Sequence, residues 1–231
     1  MAEASHSTLH RNVVVVGKTG AGKSSVCNKL LEEDTFRVAA SLDGVTETIG
    51  HGEATVKHRG KSYHMKVVDT VGLFDRRYKN KDTIASIKKY FRDTFHDGIS
   101  LVLFVFSKNR FTEEEQKCLE TIINIFHADV SPLSALVITH CDHMKPEKRR
   151  EYVQQFRSNQ HTRRVAAFMK KGIFTAGFPS PDDMDEDEYE LAQKKMARDV
   201  KDLRDLVCSC GEMRLGKQLV QDSFWDDCAI L

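Results

Sequence analysis

Residues 17–24 read Gly17-Lys18-Thr19-Gly20-Ala21-Gly22-Lys23-Ser24 and match the pattern G-x-x-x-x-G-K-[ST] in full. A β-branched run at 12–16 enters this stretch as a predicted strand, and a predicted helix over 23–33 leaves it. Glycines let the backbone N–H groups turn inward, and the helix N-terminus adds a positive field, so the arrangement is typical of a phosphate-binding P-loop. We expect nucleotide contacts from Lys18, Thr19, Gly20, Ala21, Gly22, Lys23, Ser24 and Ser25.

Two side chains at the end of the P-loop are expected to carry its chemistry. Lys23 is placed to neutralise β- and γ-phosphate oxygens, and the Ser24 hydroxyl is placed to ligate Mg²⁺. The alternative is a glycine turn that happens to contain a lysine. The strand before the loop and the helix after it favour the phosphate site, because a chance match rarely falls in that context.

Strand-like and helix-like segments alternate along the chain, which predicts an α/β fold with a mostly parallel central sheet and helices on both faces. The segment 99–106 is almost continuously apolar, as expected of a strand that is covered on both sides. The other predicted strands are 54–58, 62–69, 133–138 and 173–178, and the other predicted helices are 83–95, 112–127, 145–158 and 189–208. We expect one domain over 9–210 and a short C-terminal tail over 211–231.

The composition argues against several classes of protein. The chain has 231 residues, of which 40% are hydrophobic and 30% are charged, and its net charge is +1. Such a balance argues against a nucleic-acid-binding surface and against a disordered chain. The apolar runs fall short of the ~20 residues of a membrane span, and the N-terminal residues lack a signal-peptide pattern. We expect a cytoplasmic chain with reduced thiols, because its six cysteines show no disulfide spacing.

A second motif, Asp69-Thr70-Val71-Gly72, closes the predicted strand 62–69. The end of that strand places Asp69 beside the P-loop, where it can hold Mg²⁺ through water. The N–H group of Gly72 can then bind a γ-phosphate. At the end of this strand the motif indicates a switch segment that responds to the γ-phosphate.

A third motif, Thr139-His140-Cys141-Asp142, follows the predicted strand 133–138. The Asp142 carboxylate can accept hydrogen bonds from N1–H and the 2-amino group of guanine, whereas adenine offers neither donor. His140 can stack on the base, although a purely structural histidine at a strand end is the alternative. The motif therefore predicts GTP and GDP as ligands and argues against a P-loop ATPase.

These residues resemble the GTPases of the immunity-associated protein family (GIMAP), which are related to septins and to the chloroplast import-receptor GTPases. The resemblance covers about residues 9–205, and its most specific mark is the box FSKNRFTEEE at 106–115. It also rests on GKTGAGKSS, GVTET, DTVGLFD and THCD, at 17–25, 44–48, 69–75 and 139–142. The resemblance implies a P-loop GTPase fold, the G domain, for residues 9–210.

The resemblance also implies how the site is completed. Thr46 would complete the Mg²⁺ shell in the GTP state, with Thr48 as the runner-up. It further implies dimerisation across the nucleotide faces, with the switch segments and His140 near the interface. GTP or GDP, Mg²⁺ and a second copy of the chain are therefore the expected partners.

Hydrolysis of GTP is expected to be slow. Ras-type catalysis uses a glutamine after the DxxG glycine to orient water, and Leu73 stands at that position. Arg110, in the family box, is the candidate to supply charge to a partner subunit, and an ordinary surface cation is an equally weighted alternative. Arg76 and Arg77 are weaker candidates. The candidate catalytic residues are Arg110, Lys23 and Thr46.

The sequence Cys228-Ala229-Ile230-Leu231 forms a C-a-a-X box, whose final leucine favours geranylgeranylation of Cys228. One lipid usually needs a second signal for firm anchoring, and the acidic residues before the box do not supply it. Cys208 and Cys210 are alternative acylation sites, with unmodified thiols favoured. We expect reversible association with the cytosolic face of membranes.

Two hypotheses follow from these motifs. The leading one is a GTP-binding switch protein that dimerises through its nucleotide face, slowly hydrolyses GTP to GDP and is tethered to membranes by a prenyl group. The alternative is a GTP-dependent membrane scaffold with negligible hydrolysis. Leu73 favours the scaffold, and Arg110 favours the enzyme.

Overall fold

The computed structural model describes residues 8–33, 36, 50–69, 98–108, 128–179 and 184–211. Its strands are β1 Leu9–Val16, β2 Gly50–His58, β3 Lys61–Asp69, β4 Leu101–Ser107, β5 Ser134–Thr139 and β6 Gly172–Thr175. Its helices are α1 Lys23–Leu31, α2 Pro146–Ser158, α3 Arg163–Phe168 and α4 Glu186–Ser209, and a short 3₁₀ segment spans Ala128–Leu133.

The strands form one mixed sheet in the order β2-β3-β1-β4-β5-β6. Neighbouring strands from β3 to β6 run parallel, whereas β2 lies antiparallel at the edge. The β2–β3 turn is made by Arg59 and Gly60, both with positive φ, as a tight hairpin requires. The predicted α/β fold with a mostly parallel sheet is therefore confirmed.

The four consecutive valines of β1 point alternately to the two faces of the sheet and so contribute to two hydrophobic layers. Val13 and Val15 face a cluster that includes Leu30 of α1 and Leu206 of α4. Val14 and Val16 face the opposite cluster, which includes Phe156 of α2. Helices therefore cover both faces, and every residue of β4 is buried. Such double cover explains why the central strands are nearly continuous in apolar residues.

Several predicted boundaries differ from the observed ones. The predicted strand 173–178 is wrong over its last three residues, because β6 ends at Thr175 and the Gly177 N–H donates to the Asp199 carboxylate. The final helix begins at Glu186, earlier than predicted, because the Asp185 side chain caps it by accepting from the Glu188 N–H. The short helix α3 was not predicted.

Some expectations fall outside the described residues, including the predicted helices 83–95 and 112–127. The boundary between the domain and its tail at 210 stays a prediction. Within the described helices, none is long and apolar enough to cross a bilayer. The four described cysteines have free thiols and are buried. Burial of Cys208 and Cys210 makes them poor acylation sites, in line with the favoured reading of unmodified thiols.

Candidate nucleotide-binding site

The candidate site lies at the carboxyl edge of the sheet, where β1, β3 and β5 end. β1 leads into the P-loop, β3 ends at Asp69, and β5 ends at Thr139. β3 and β4 follow one another in the chain but lie on opposite sides of β1 in the sheet, so the strand order reverses at β1. In open α/β sheets such a reversal opens the crevice in which ligands bind. The fold therefore brings the three sequence motifs to one edge.

Two glycines of the P-loop are required by its geometry. A Cβ atom on Gly17 would lie 2.2 Å from the carbonyl oxygen of Val105, so a larger residue cannot occupy that position. Gly22 precedes α1 with φ of 88°, a left-handed conformation that strains other residues. Lys18, Thr19 and Gly20 are exposed at the tip, while Ala21 is buried and Ser25 is half-buried. The tip of the loop is thus open to an incoming phosphate.

Lys23 is enclosed by the loop that it follows. Only 4% of the residue is exposed, and its Nζ donates to the carbonyl oxygen of Lys18 at 3.1 Å. Burial lowers the pKa of its ammonium group, and the nearby Asp69 carboxylate acts in the opposite direction. A buried cation that donates to a backbone carbonyl oxygen is suited to an anionic ligand, because the negative charge would compensate for the water that burial removes.

Ser24 and Asp69 form an oxygen-rich pair beside Lys23. The Ser24 hydroxyl donates to Asp69 Oδ2 at 3.0 Å, whereas Asp69 Oδ1 is buried without a partner. Burial raises the pKa of the Asp69 carboxyl group, and Lys23 and the Ser24 hydroxyl oppose the rise. Mg²⁺ prefers such oxygen ligands and takes its remaining ones from water and phosphate. The pair therefore fits a Mg²⁺ ion bound together with a nucleotide.

The described residues contain no group of three or more His, Cys, Asp or Glu side chains able to hold a metal ion. A site that relies on one carboxylate, one hydroxyl and the phosphates of the ligand needs no such cluster. The donor set at Ser24 and Asp69 is therefore compatible with a metal that is bound together with a nucleotide.

Thr139 connects the P-loop to the loop after β5. Its hydroxyl donates to the carbonyl oxygen of Ala21 at 2.7 Å and lies 3.1 Å from that of Phe106. The same oxygen is 3.0 Å from His140 Nδ1, so it can accept a hydrogen bond from a protonated Nδ1. A single buried hydroxyl thus fixes the spacing between the phosphate and base halves of the site. The motif 139–142 drew attention to this residue, but sequence analysis gave it no role.

Asp142 lies against the loop that follows β6. Its Oδ1 atom is buried without a hydrogen-bond partner. A Cβ atom on Gly177 would lie 2.7 Å from that Oδ1 and 2.9 Å from the Asp142 Cα, so only glycine permits this approach. A buried carboxylate oxygen without a partner is costly unless a ligand supplies a donor. Asp142 is therefore ready to accept hydrogen bonds.

His140 stands exposed beside this carboxylate. Its φ of 58° lies in the left-handed region, which non-glycine residues seldom adopt. Cys141, next in the chain, is fully buried, and burial raises the pKa of its thiol to about 11. The loop therefore turns one side chain outward and the next inward. The imidazole, whose Nδ1 contacts the Thr139 hydroxyl, is therefore exposed where it can cover a bound base.

Two further residues at this edge were missed by sequence analysis. Arg149 is a buried residue near the start of α2, and it forms an ion pair with Asp199 of α4. Arg149 lies in the predicted helix 145–158 and Asp199 in the predicted helix 189–208, and sequence analysis assigned neither of them a role. Four predicted site residues, Thr46, Gly72, Arg110 and Cys228, lie outside the described residues, so their roles stay predictions. The same holds for Thr48, Leu73, Arg76 and Arg77.

Comparisons with known proteins identify a matching family model and several relatives. A model of the AIG1 family matches residues 11–176. The chain is 33% identical over 157 residues to Immune-associated nucleotide-binding protein 9 of Arabidopsis thaliana. The aligned region covers 66% of this chain and 43% of that protein. The chain spans less than half the length of the curated relatives it matches.

Solved structures of Toc33 from Arabidopsis thaliana share the fold. A dimerization-deficient mutant aligns with a TM-score of 0.56 at 21% identity, covering 86% of this chain and 84% of that one. Toc33 in complex with Mg²⁺ and GMPPNP aligns with a TM-score of 0.54 at 21% identity, covering 87% and 85%. The described elements therefore follow the architecture of those proteins.

Proposed function

The chain belongs to the AIG1 family, and we propose that it binds GTP and GDP with Mg²⁺ and hydrolyses GTP as a nucleotide-dependent switch. One observation carries the proposal. The buried Oδ1 of Asp142, which has no partner, lies at the same sheet edge as the buried Lys23. One group needs hydrogen-bond donors and the other needs an anion. A guanine nucleotide carries both, because its base offers N1–H and an amino group and its other end is a phosphate chain.

The residues of the site have distinct tasks in this proposal. Lys23 and the N–H groups of the P-loop bind the phosphates, and Ser24 and Asp69 hold the metal. Bound Mg²⁺ neutralises charge that develops on the phosphate oxygens. Asp142 accepts from guanine, and adenine is rejected because it leaves that carboxylate buried and unpaired. The choice of a guanine nucleotide with Mg²⁺ is supported by Toc33, which has been solved in complex with Mg²⁺ and GMPPNP.

We expect GDP with Mg²⁺ to raise the midpoint of thermal unfolding, and ADP with Mg²⁺ to leave it unchanged. At a ligand concentration of 100 Kd the gain is about 2.7 kcal/mol, which corresponds to roughly 5–10 °C for a domain of this size. Differential scanning fluorimetry with GDP, ADP and GDP plus EDTA measures the effect. Equal shifts with the two nucleotides would contradict guanine recognition, and the absence of a shift with GDP would contradict the proposal as a whole.

Slow hydrolysis that is completed by a second copy of the chain forms part of the proposal. It is supported by Leu73, which cannot orient water, and by the resemblance of the box that contains Arg110. Among the solved relatives, Toc33 has a mutant described as dimerization-deficient. An arginine supplied in trans typically raises the rate of GTP hydrolysis by a factor of about 10³–10⁵. Arg110 is the residue that we propose for this role.

GTP turnover per molecule is expected to rise with protein concentration, and Arg110→Ala is expected to abolish the rise while GTP binding persists. Phosphate release measured over a wide concentration range tests this. Arg163→Ala, an exposed arginine on α3, is the matched control and should behave like wild type. Flat, very slow turnover with tight GTP binding would favour the alternative, a GTP-dependent scaffold.

Membrane tethering is the last part of the proposal, and it rests on the sequence Cys-Ala-Ile-Leu at 228–231. A geranylgeranyl group on Cys228 would place a cytoplasmic protein partly at the cytosolic face of membranes. The buried Cys208 and Cys210 do not offer a second lipid site. A single lipid gives weak anchoring, so reversible association is proposed.

Protein isolated from cells is expected to carry a geranylgeranyl group on Cys228, and a Cys228→Ser protein is expected to shift to the aqueous phase of a detergent partition. Intact mass and detergent partitioning are the measurements. Cys210→Ser, which changes a buried thiol, is the control and should partition like wild type. Equal partitioning of wild type and Cys228→Ser would contradict tethering.

A further inference from the structure

A buried ion pair lies directly behind the loop that carries Asp142. Arg149 Nη1 donates to Asp199 Oδ1 and Oδ2 at 2.7 and 2.8 Å, and both side chains are about nine-tenths buried. The pair joins α2 to α4, fifty residues apart along the chain. Desolvation offsets much of the attraction in such pairs, so a buried pair is by itself weak evidence for stability. The other hydrogen bonds of the two side chains indicate a more specific role.

Arg149 uses its remaining donors on the Asp142 loop. Its Nε and Nη2 atoms both donate to the carbonyl oxygen of Cys141, at 3.2 and 2.7 Å. The planar guanidinium therefore bridges the residue before Asp142 and the carboxylate of Asp199. Such a fork holds its partners at fixed angles, which a flexible ammonium group does not.

Asp199 holds the opposing loop. Its Oδ2 atom accepts from the backbone N–H of Gly177 at 3.0 Å. Gly177 is the residue whose missing side chain allows contact with Asp142. The neighbouring backbone closes the same gap, because the Cys141 N–H donates to the carbonyl oxygen of Ala176 at 3.2 Å. The ion pair is thus hydrogen-bonded to the backbone of both loops that surround the Asp142 carboxylate.

We infer that Arg149 and Asp199 are positioning residues that hold the loops 140–142 and 176–178 in register, and so set the selectivity of Asp142 for guanine. The inference rests on the proposed function. In this role both residues act through the backbone of Cys141 and Gly177 and not through contact with the base. If the pair were removed, the anchors of both loops would be lost together, namely the contact of Arg149 with the Cys141 carbonyl oxygen and that of Asp199 with the Gly177 N–H.

The electrostatics of Asp199 agree with this role. Burial raises the pKa of its carboxyl group, and Arg149 and the Gly177 N–H oppose the rise. Removing Arg149 alone would leave a buried carboxylate short of partners, which destabilises the fold for reasons unrelated to the ligand. A test therefore has to remove both charges together.

The test compares GDP with IDP, because inosine keeps N1–H but lacks the 2-amino group that Asp142 is expected to bind. Wild type should prefer GDP about 10- to 100-fold, the effect of one hydrogen bond to a charged group. In Arg149→Met/Asp199→Leu we expect this preference to fall to about threefold or less, with IDP affinity within about threefold of wild type. Isothermal titration calorimetry with each nucleotide and Mg²⁺ gives both values.

A second variant keeps the inference falsifiable if the double variant does not fold. Arg149→Lys retains a charge for Asp199 but cannot bridge it to the Cys141 carbonyl oxygen, so we expect its GDP preference to fall at least about threefold. The control is Glu147→Gln/Arg150→Gln, which removes an exposed ion pair from the same helix and should keep the wild-type ratio.

The outcomes separate this inference from the proposed function. Retention of the wild-type GDP preference in the double variant or in Arg149→Lys would overturn the positioning role. Equal loss of GDP and IDP affinity would also overturn it, because that result marks a merely structural pair. Failure of wild type to bind either nucleotide would overturn the proposed function itself, and the inference with it.

Discussion

A Lys23→Met protein is expected to remain folded without nucleotide and to lose affinity for GTP and GDP by about 10²–10⁴-fold, the effect of losing two charged phosphate contacts. Lys23 is 4% exposed, and its ammonium group donates a hydrogen bond to the Lys18 carbonyl oxygen. Methionine has a similar length and flexibility, so it fills the same space without a buried charge. The substitution therefore tests the contribution of Lys23 to nucleotide affinity separately from its contribution to the stability of the fold.

Urea denaturation and calorimetric titration measure the two effects on the same preparation. Without nucleotide, the free energy of unfolding of Lys23→Met should match or exceed that of wild type, because a desolvated cation is removed. Lys29→Met, near the other end of the same helix, is the control and should leave nucleotide affinity unchanged. Wild-type affinity in Lys23→Met would contradict the phosphate site. Unfolding of the nucleotide-free variant would show that Lys23 serves the fold.

Local sequence was sufficient to predict that the residues of the proposed phosphate half of the site lie together. The positions of Lys23, Ser24 and Asp69 follow from two short motifs, each placed at the end of a strand. Parallel strands end at a common edge, so the pairing of Val15 with Asp69 brings these motifs together without long-range information. The almost continuously apolar stretch 99–106 likewise predicted a strand covered on both sides, and every residue of β4 is buried. These features depend on residues that are close in sequence or repeat with a simple period.

The supports of the base half depend on contacts that the sequence does not reveal. Arg149 and Asp199 lie in charged segments that are typical of solvated helix faces, and only the packing of α2 against α4 buries them. Gly177 was expected in a strand, but its N–H bonds to Asp199 rather than to a neighbouring strand. Thr139 needed the three-dimensional approach of the P-loop before its hydroxyl had a partner in Ala21. Each of these roles is set by tertiary contacts.

Selectivity for the base offers a second large effect, expected from a substitution that conserves shape. Asp142 has a buried Oδ1 without a partner, and the carboxylate can accept from both guanine donors. An Asp142→Asn side chain has one acceptor and one donor group. It can still accept from N1–H, but its amide N–H₂ then faces the 2-amino group of guanine. Xanthine carries a carbonyl oxygen at that position, which matches the amide donor.

Asp142→Asn is therefore expected to lower GDP affinity by about 10²–10⁴-fold, since hydrogen bonds to a charged acceptor are lost, and to favour XDP over GDP. Competition titrations with GDP, XDP and ADP in the presence of Mg²⁺ measure the change. Asp187→Asn, an exposed carboxylate in the first turn of α4, is the matched control and should keep the wild-type order. Because the variant changes one atom and leaves Lys23 and the P-loop intact, a variant that binds neither GDP nor XDP would point to a damaged loop. A GDP preference unchanged by Asp142→Asn would place guanine recognition elsewhere in the molecule.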